Sequence, residues 1–399
     1  MRIVFLVQNT FTQRDEDRFG IKTIQKNGIE VEVWDVRNCI HHNVSSQKNE
    51  YSPSFLKVFK TKKDLKILLN RLDPHDIAIV NLDYGYRYHF IYRIFLQKNV
   101  KFGFIRLEII PTKILQPRFT TPVISNFFQK LVNVFKNPKA FLDRQYCRIS
   151  PEKLGLKPAD FIFVSGKHSL EINNINRFLV SKEKTKIILG HALDYDVFLS
   201  RKELQSSSGE KSYAVFIDGY IPFHPDVLYV YDRSPYDPIE YYAKLTRFFD
   251  YFEQKTSLPV VIAAHPKADY DNNPFTYGNR KIIKGKTVEL IAQSKAVLSH
   301  YSTSLNFACL YQKPILFLSL RMFENTGLHK NIEIFAKSLE KTPLLIDGHV
   351  QPNVLEELQV SPILYEQYRE NFIKQKGSPE QPSWQIFSDW AKEQFKTGA

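Results

Sequence analysis

The sequence has few cysteines and no long apolar segment. Its three cysteines, Cys39, Cys147 and Cys309, are far apart in the chain and show no CxxC spacing. They exclude a disulfide-stabilised scaffold and an all-cysteine zinc site, and they fit a reducing compartment. Because no apolar run reaches about 18 residues, we expect no transmembrane helix.

The amino terminus lacks the features of a secretory signal. The stretch Met1–Phe11 contains a single basic residue and soon becomes polar, which predicts a first β-strand instead. We therefore expect a cytoplasmic protein, with peripheral contact to the inner face of the membrane left open.

Several common chemical motifs are also missing. No GxGxxG follows the first apolar run, so a dinucleotide site there is unsupported. The chain has no HExxH and no close cluster of Asp and His, so we expect no bound metal. It has no signature of an RNA-recognition motif, a zinc finger or a helix-turn-helix, and its basic residues are spread out. We therefore expect no nucleic-acid partner.

What the chain does have is enough apolar material for two domains and a strong positive charge. It contains 399 residues, of which 43% are hydrophobic, and its net charge is +13. The length favours two domains, and the composition is that of a folded globular protein. The charge favours an anionic partner, which could be nucleic acid, a membrane face or a phosphorylated ligand, although aromatic-rich cores with solubilising surface lysines explain the composition as well.

Short apolar runs alternate with helical patterns, which predicts parallel sheets with crossover helices. The predicted strands are Arg2–Val7, Val31–Val36, Ile77–Asn81, Phe102–Leu107, Phe161–Val164, Lys186–Leu189, Tyr213–Ile217, Val260–Ala264, Ala296–Ser299 and Ile315–Leu318. The predicted helices include Gly20–Asn27, Pro238–Gln254, Thr287–Ser294, Ser302–Tyr311, Asn353–Lys376 and Trp384–Lys396.

A polar, serine-rich stretch divides this pattern into two halves. We predict Rossmann-like domains over residues 1–202 and 213–380, a linker over 203–212 and a C-terminal helix over 381–399. Two such domains leave a cleft between them as the expected binding site. The loop Asn9–Arg18 after the first strand either lines that cleft or is merely solvated.

One segment stands out by its charge. Residues Pro111–Arg148 hold seven Lys or Arg and one acid, Asp143, interleaved with apolar side chains. Such a segment fits an anionic membrane surface, and it fits equally a packed helix whose lysines face water.

Two groups of residues are suited to bind a phosphate. A predicted strand ends at His265, and Pro266 and Lys267 follow it. Another strand is followed by Ser302, Thr303 and Ser304 and then by a helix. Imidazole, ammonium and hydroxyl groups and a helix start can all donate to an anion. A turn histidine and an ordinary helix cap explain the same residues.

Acidic residues follow the first strand of the second half. Asp218 ends this strand and precedes Gly219, which allows close backbone approach. Asp218 is therefore a candidate base or nucleophile facing the cleft, although an Asp-Gly turn is common. His224 and Asp226 are the reserve catalytic candidates.

Together these elements resemble the donor-binding domain of GT-B glycosyltransferases that use CMP-activated sugars. That group includes bacterial sialyltransferase, polysialyltransferase and Kdo transferase-like enzymes. His265-Pro266 matches its His-Pro motif, and Ser302-Thr303 matches its Ser-Ser/Thr motif. Ile217-Asp218-Gly219 is similar to its acidic-acidic-Gly motif, with isoleucine in place of the first acid.

The resemblance implies a fold and an activity. It implies a GT-B-like fold with two Rossmann-like domains facing a central cleft, an N-terminal acceptor domain and a C-terminal donor domain. The implied enzyme transfers sialic acid, Kdo or a related acidic sugar from CMP to a hydroxyl of a surface polysaccharide or lipid-linked glycan, without cofactor or metal. Asp218 and His265 would be catalytic.

The implied nucleotide contacts come from three segments. They are His265, Pro266, Lys267, Gly285, Lys286, Ser302, Thr303 and Ser304. We place Gly285 and Lys286 in a loop, Ile282–Thr287, near the base and ribose.

Other functions remain open. Tyr301-Ser302-Thr303 is also similar to the Tyr-Ser-Ser pattern of transferases that build teichoic-acid-like polymers from CDP-glycerol. A nucleotide-sugar epimerase is a further alternative, and so is a non-catalytic, basic protein that binds glycans or membranes. The motifs thus support a cytidine nucleotide as the donor's leaving group more strongly than they identify the group that is transferred.

Overall fold

The computed structural model describes most of the chain. It covers residues 1–40, 51–82, 84–112, 146, 149–170, 179–201, 203–204, 212–224, 234–271, 275–348 and 352–396. Most of the predicted linker, most of the basic segment 111–148 and the reserve candidate Asp226 lie outside these residues.

The first half of the chain forms a seven-stranded parallel sheet in the order β3-β2-β1-β4-β5-β6-β7. Its strands are β1 (Arg2–Val7), β2 (Glu30–Asp35), β3 (Leu56–Val58), β4 (Asp76–Asn81), β5 (Lys101–Arg106), β6 (Phe161–Val164) and β7 (Lys186–Leu189). The central strands are apolar on both faces because helices cover both sides of the sheet.

The second half forms a six-stranded parallel sheet in the order β10-β9-β8-β11-β12-β13. Its strands are β8 (Ala214–Ile217), β9 (Val260–Ala264), β10 (Ile282–Lys284), β11 (Ala296–Ser299), β12 (Ile315–Ser319) and β13 (Leu344–Leu345). In each sheet the strand order reverses beside the first strand, as in doubly wound nucleotide-binding folds. The expected α/β fold is confirmed.

Helices connect the strands of both halves. Those of the first half are Gln13–Arg18, Ile21–Lys26, Arg37–Ile40, Lys62–Leu69, His89–Gln97 and Leu193–Ser200. Those that follow are Pro238–Thr256, Thr287–Gln293, Leu305–Leu310, Gly327–Ser338, Val354–Glu357, Pro362–Tyr368 and Ser383–Lys396. Short 3-10 turns occupy Tyr86–Tyr88, Glu152–Leu154, Lys167–Leu170, Ile221–Phe223 and Arg321–Phe323.

The local signals explain where several helices begin. Asp237 caps the long helix of the second half by accepting hydrogen bonds from the amides of Ile239 and Glu240, and Pro238 takes the first helical position. In the same way, Ser361 caps a later helix by accepting a hydrogen bond from the Leu364 amide, and Pro362 takes the first helical position. The single helix predicted over Asn353–Lys376 is therefore wrong: a new helix begins at Pro362, because proline is not tolerated in a helix interior.

Two other boundaries differ from the prediction. The helix expected over Ser302–Tyr311 begins only at Leu305, because the three hydroxyl residues form a turn before it. The loop expected over Ile282–Thr287 begins instead as the edge strand β10. Very short strands such as β3 and β13 were not predicted, since two or three residues carry no readable alternation.

The last helix, Ser383–Lys396, returns to the first sheet. Trp384 packs edge-on against Phe5 and Phe163, and Phe387 contacts Phe163. Gly20 has a left-handed φ of 56°, and a Cβ there would lie 2.1 Å from Cγ of Trp384. The chain thus crosses between its halves twice, and this packing fixes the end of the chain on the first half.

No helix within the described residues is long and apolar enough to span a membrane.

Candidate functional site

The motif residues of the second half lie along one edge of its sheet. Asp218 follows β8, His265 follows β9, and Ser302 comes shortly after β11. In open α/β sheets, ligands bind at this carboxyl edge, where the strand order reverses. Strand β8 lies between β9 and β11, so the ends of those two strands are about 10 Å apart, which is two strand spacings.

Asp218 does not face an open cleft, contrary to the expectation from sequence. The residue is 2% exposed, and its carboxylate accepts hydrogen bonds from both the protein backbone and side chains. Tyr277 donates to Oδ1 over 2.8 Å, the Tyr220 amide donates to the same atom over 2.7 Å, and the Tyr270 hydroxyl donates to Oδ2. The amide of His265 donates to it as well.

Through these contacts the Asp218 side chain links the end of β8 to the end of β9. Burial raises the pKa of its carboxyl, and the four donors oppose that rise. The bond to Tyr220 holds this residue in a left-handed conformation, with φ of 50°. The bond from His265 fixes the turn after β9 to the end of β8. The carboxylate is therefore placed to support the shape of the site, enclosed by tyrosine rings that exclude water.

His265 is partly exposed and ordered by its own turn. Its Nδ1 accepts the Lys267 amide over 3.1 Å, which leaves the proton of the neutral ring on Nε2, a hydrogen-bond donor. The ring of His224 lies 4.8 Å away, edge-on. Pro266 and Lys267 are exposed beside it. The structure thus brings the rings of His265 and His224 together at this edge of the sheet.

The hydroxyl residues form the turn that leads into the helix Leu305–Leu310. Oγ of Ser302 accepts the Ser304 amide over 3.2 Å, Thr303 is exposed, and Ser304 is the helix cap residue. Gly285 and Lys286 are exposed at the end of the edge strand β10, where Gly285 has a φ of 77°.

His300, which immediately precedes this turn, is a core residue. It is 1% exposed among Phe216, Tyr241 and Phe323. Its Nδ1 donates to the Leu318 carbonyl over 2.7 Å, and burial lowers its pKa to about 4. The ring is therefore neutral at physiological pH and does not face the ligand edge.

A pocket of about 290 Å³ lies at the corresponding edge of the first sheet. It is lined by residues at the ends of β1, β4 and β5, where the strand order of that sheet reverses. Its charged residues are Arg18, Arg106 and Glu108, and Arg18 forms an ion pair with Glu108. The segment Asn9–Arg18, predicted as a loop, instead forms a helix over Gln13–Arg18, and Arg18 at its end contributes to the lining.

The two halves meet beside this pocket. Leu193 lines the pocket, and the neighbouring Asp194 accepts a 2.8 Å hydrogen bond at Oδ2 from Nδ2 of Asn306 in the second half. The Tyr301 hydroxyl donates to the Pro111 carbonyl over 3.2 Å. Burial raises the pKa of Asp194 to about 6. The carboxyl edges of the two sheets are thus joined on both sides of the hydroxyl turn.

Sequence reasoning missed this pocket and the tyrosines around Asp218. Arg106 and Glu108 offered a usable signal, because polar residues at the end of an apolar strand mark the ligand edge of a parallel sheet. Tyr270 and Tyr277 offered none, since they lie 52 and 59 residues after Asp218 in a region with many aromatics.

Within the described residues, no group of three or more His, Cys, Asp or Glu side chains is arranged to hold a metal ion.

No protein-family model matches this chain, and a search of curated proteins found no match. Among solved structures, the wall teichoic acid polymerase TagF is similar over 99% of this chain and 89% of its own, with a TM-score of 0.50 and 12% identity. A UDP-GlcNAc 2-epimerase from Neisseria meningitidis matches over 100% of both chains, with a TM-score of 0.45 and 14% identity. At such identities the likeness to TagF concerns the fold alone. The chain has a GT-B-like α/β fold, built from two Rossmann-like halves with parallel sheets.

Proposed function

We propose that the protein is a glycosyltransferase that moves an acidic sugar from a CMP-sugar donor to a hydroxyl of a surface polysaccharide or lipid-linked glycan. The fold alone does not assign this activity, because folds of this type host many functions. The support comes from the site in the second half and from its motifs. The nucleotide sugar is a substrate in this proposal, and no cofactor or metal takes part.

The observation that carries the proposal is the placement of two donor groups on either side of β8. His265 follows β9 and the hydroxyl turn follows β11, at the edge where the strand order reverses. CMP leaves readily when the charge on its phosphate is stabilised, and preorganised donors supply that stabilisation. Nε2 of His265 and the Ser302 and Thr303 hydroxyls are suited to this role.

A second candidate is transfer of a polyol phosphate from a CDP-polyol. Two observations favour it: the order Tyr301-Ser302-Thr303, and the similarity in fold to a protein described as a wall teichoic acid polymerase. Both candidates use a cytidine nucleotide and release CMP, so they share the binding site in the second half.

Isothermal titration calorimetry with CMP, CDP, UDP and GDP tests the shared part. We expect cytidine nucleotides to bind more tightly than the others. Removing the imidazole in His265→Ala should cost about 1.5–3 kcal/mol, a loss in CMP affinity of about 10- to 150-fold. His75→Ala is the matched control, because His75 is exposed at the opposite edge of the first sheet, before β4.

Two results would contradict the proposal. Equal or tighter binding of UDP or GDP would remove the cytidine assignment. Unchanged CMP affinity in His265→Ala would remove the phosphate site from the end of β9.

A further inference from the structure

The reacting groups of the proposed transfer must meet where the two ligand edges meet. Two hydrogen bonds, Tyr301 to Pro111 and Asn306 to Asp194, join the two halves on either side of the hydroxyl turn, and Leu193, next to Asp194, lines the pocket of the first half. Asn306 lies in the first turn of the helix that follows the hydroxyl residues. Asp194 is therefore a carboxylate where the two halves meet, and it is bonded to the helix that follows the hydroxyl turn of the proposed phosphate site.

The surroundings of Asp194 differ from those of the other acids of the site. Asp218 is buried beneath four donors, and Glu108 is paired with Arg18. Asp194 is partly exposed, and its Oδ2 is held by Asn306, whose own Oδ1 accepts the Tyr368 hydroxyl over 2.8 Å. This chain of bonds fixes the carboxylate where the two halves meet.

We propose that Asp194, rather than Asp218, is the catalytic base of the transfer. This inference rests on the proposed function. The acceptor hydroxyl, bound in the pocket of the first half, gives its proton to Asp194 as its oxygen forms a bond to the transferred group. The bond between that group and the CMP phosphate breaks, and its electron pair leaves with CMP. The proton ends on Asp194 and later passes to water.

The charges around Asp194 suit a base that works near neutral pH. Burial raises its pKa to about 6, and the negative charge of Glu108 adds to this rise. The hydrogen bond from Asn306 and the positive charge of Arg14 oppose it. Tyr368, which faces it from the second half, is neutral because burial raises its own pKa. A base must be ionised to act, so activity should rise as the pH increases through about 6.

The test measures CMP release from two donors, CMP-N-acetylneuraminic acid and CDP-glycerol, with water as the acceptor. We expect Asp194→Asn to lower kcat by about a hundredfold or more while CMP affinity, measured by calorimetry, stays within twofold. Asp196→Asn is the matched control. Asp196 lies in the first turn of the same helix, but it contacts the Ser383 amide and His191 and not Asn306, so the kcat of this variant should stay near that of the parent.

Two further variants separate catalysis from a structural role. Asn306→Ala removes a bond that lowers the pKa of Asp194, so the acidic limb of the profile of kcat/KM against pH should move to higher pH. Glu108→Gln removes a charge that raises this pKa, so the limb should move to lower pH. A purely structural residue would not produce opposite shifts.

The outcomes distinguish this inference from the proposed function. If the parent neither binds CMP nor releases it from either donor, the proposed function fails, and the role of Asp194 fails with it. If the parent turns over a donor and folded Asp194→Asn matches its rate, only the role of Asp194 is overturned. Should Asp194→Asn misfold, the pH profiles of the other two variants decide. If the acidic limb of kcat/KM stays at the pH of the parent in both Asn306→Ala and Glu108→Gln, the role of Asp194 is overturned.

Discussion

Replacing Asp218 with alanine should destabilise the second half of the protein. In the parent, this carboxylate accepts hydrogen bonds from the hydroxyls of Tyr270 and Tyr277 and from the amides of Tyr220 and His265. Alanine leaves all four donors without their acceptor, and Tyr277 is fully buried. The left-handed Tyr220 also loses the bond that holds it.

The size of the effect follows from these losses. An unsatisfied buried donor costs about 1–3 kcal/mol, and breaking a buried charged network costs about 3–5 kcal/mol in total. We therefore expect the free energy of unfolding to fall by about 3–5 kcal/mol. With a urea slope of about 2 kcal/mol per molar, the midpoint should fall by about 1.5–2.5 M.

Urea unfolding followed by far-UV circular dichroism measures this change. All three tryptophans, Trp34, Trp384 and Trp390, belong to the first sheet or to the helix packed on it, so their fluorescence reports on the first half. Asp269→Ala is the matched control, because Asp269 is an exposed acid in the loop after β9 and should change stability by no more than about 0.5 kcal/mol.

A midpoint for Asp218→Ala within about 0.3 M of the parent would refute the reasoning, because m is about 2 kcal/mol per molar and such a shift corresponds to well under 1 kcal/mol. If that stable variant also lost turnover by a hundredfold, Asp218 would be the base that the sequence alone suggested. Loss of stability with turnover retained at low temperature would instead fit a residue that supports the site.

Two further predictions concern other parts of the chain. Gly20→Ala should lower the midpoint followed by tryptophan fluorescence by more than Gly155→Ala does: both glycines have positive φ, but only at Gly20 would the new Cβ meet Trp384. A smaller effect at Gly20 would contradict the packing of the last helix. The basic segment 111–148 should bind anionic vesicles in sedimentation assays and release them at high salt, since each basic residue contributes about 1 kcal/mol near such a surface. Equal recovery with neutral vesicles would contradict membrane contact.

Much of the fold could be read from the sequence because its signals are local. Apolar runs such as Arg2–Val7 and Val260–Ala264 mark buried strands, and Asp237 with Pro238 marks a helix start. Hydrogen bonds between neighbouring residues and the period of side chains along a strand or helix determine these features. Proline at position 362 also marks a helix start in the sequence, because it is not tolerated in a helix interior.

The candidate site was only partly readable. The position of His265 at a strand end follows from the apolar run before it and the proline after it. The sequence also placed Asp218 correctly at the end of β8, but it could not show whether the carboxylate is open or covered. Its cover comes from Tyr270 and Tyr277, and nothing near Asp218 in the chain indicates them.

The sequence by itself therefore determined the order of the longer strands, the division into two halves and the strand-end location of the motif residues. Only the tertiary structure decided which strands are neighbours, and thus where each sheet has its ligand edge. It also decided that Asp194 meets Asn306, 112 residues away, and that the last helix returns to the first sheet. The physical reason is that a local pattern encodes burial and backbone shape, whereas the partner of a buried polar group is set by long-range packing of the whole chain.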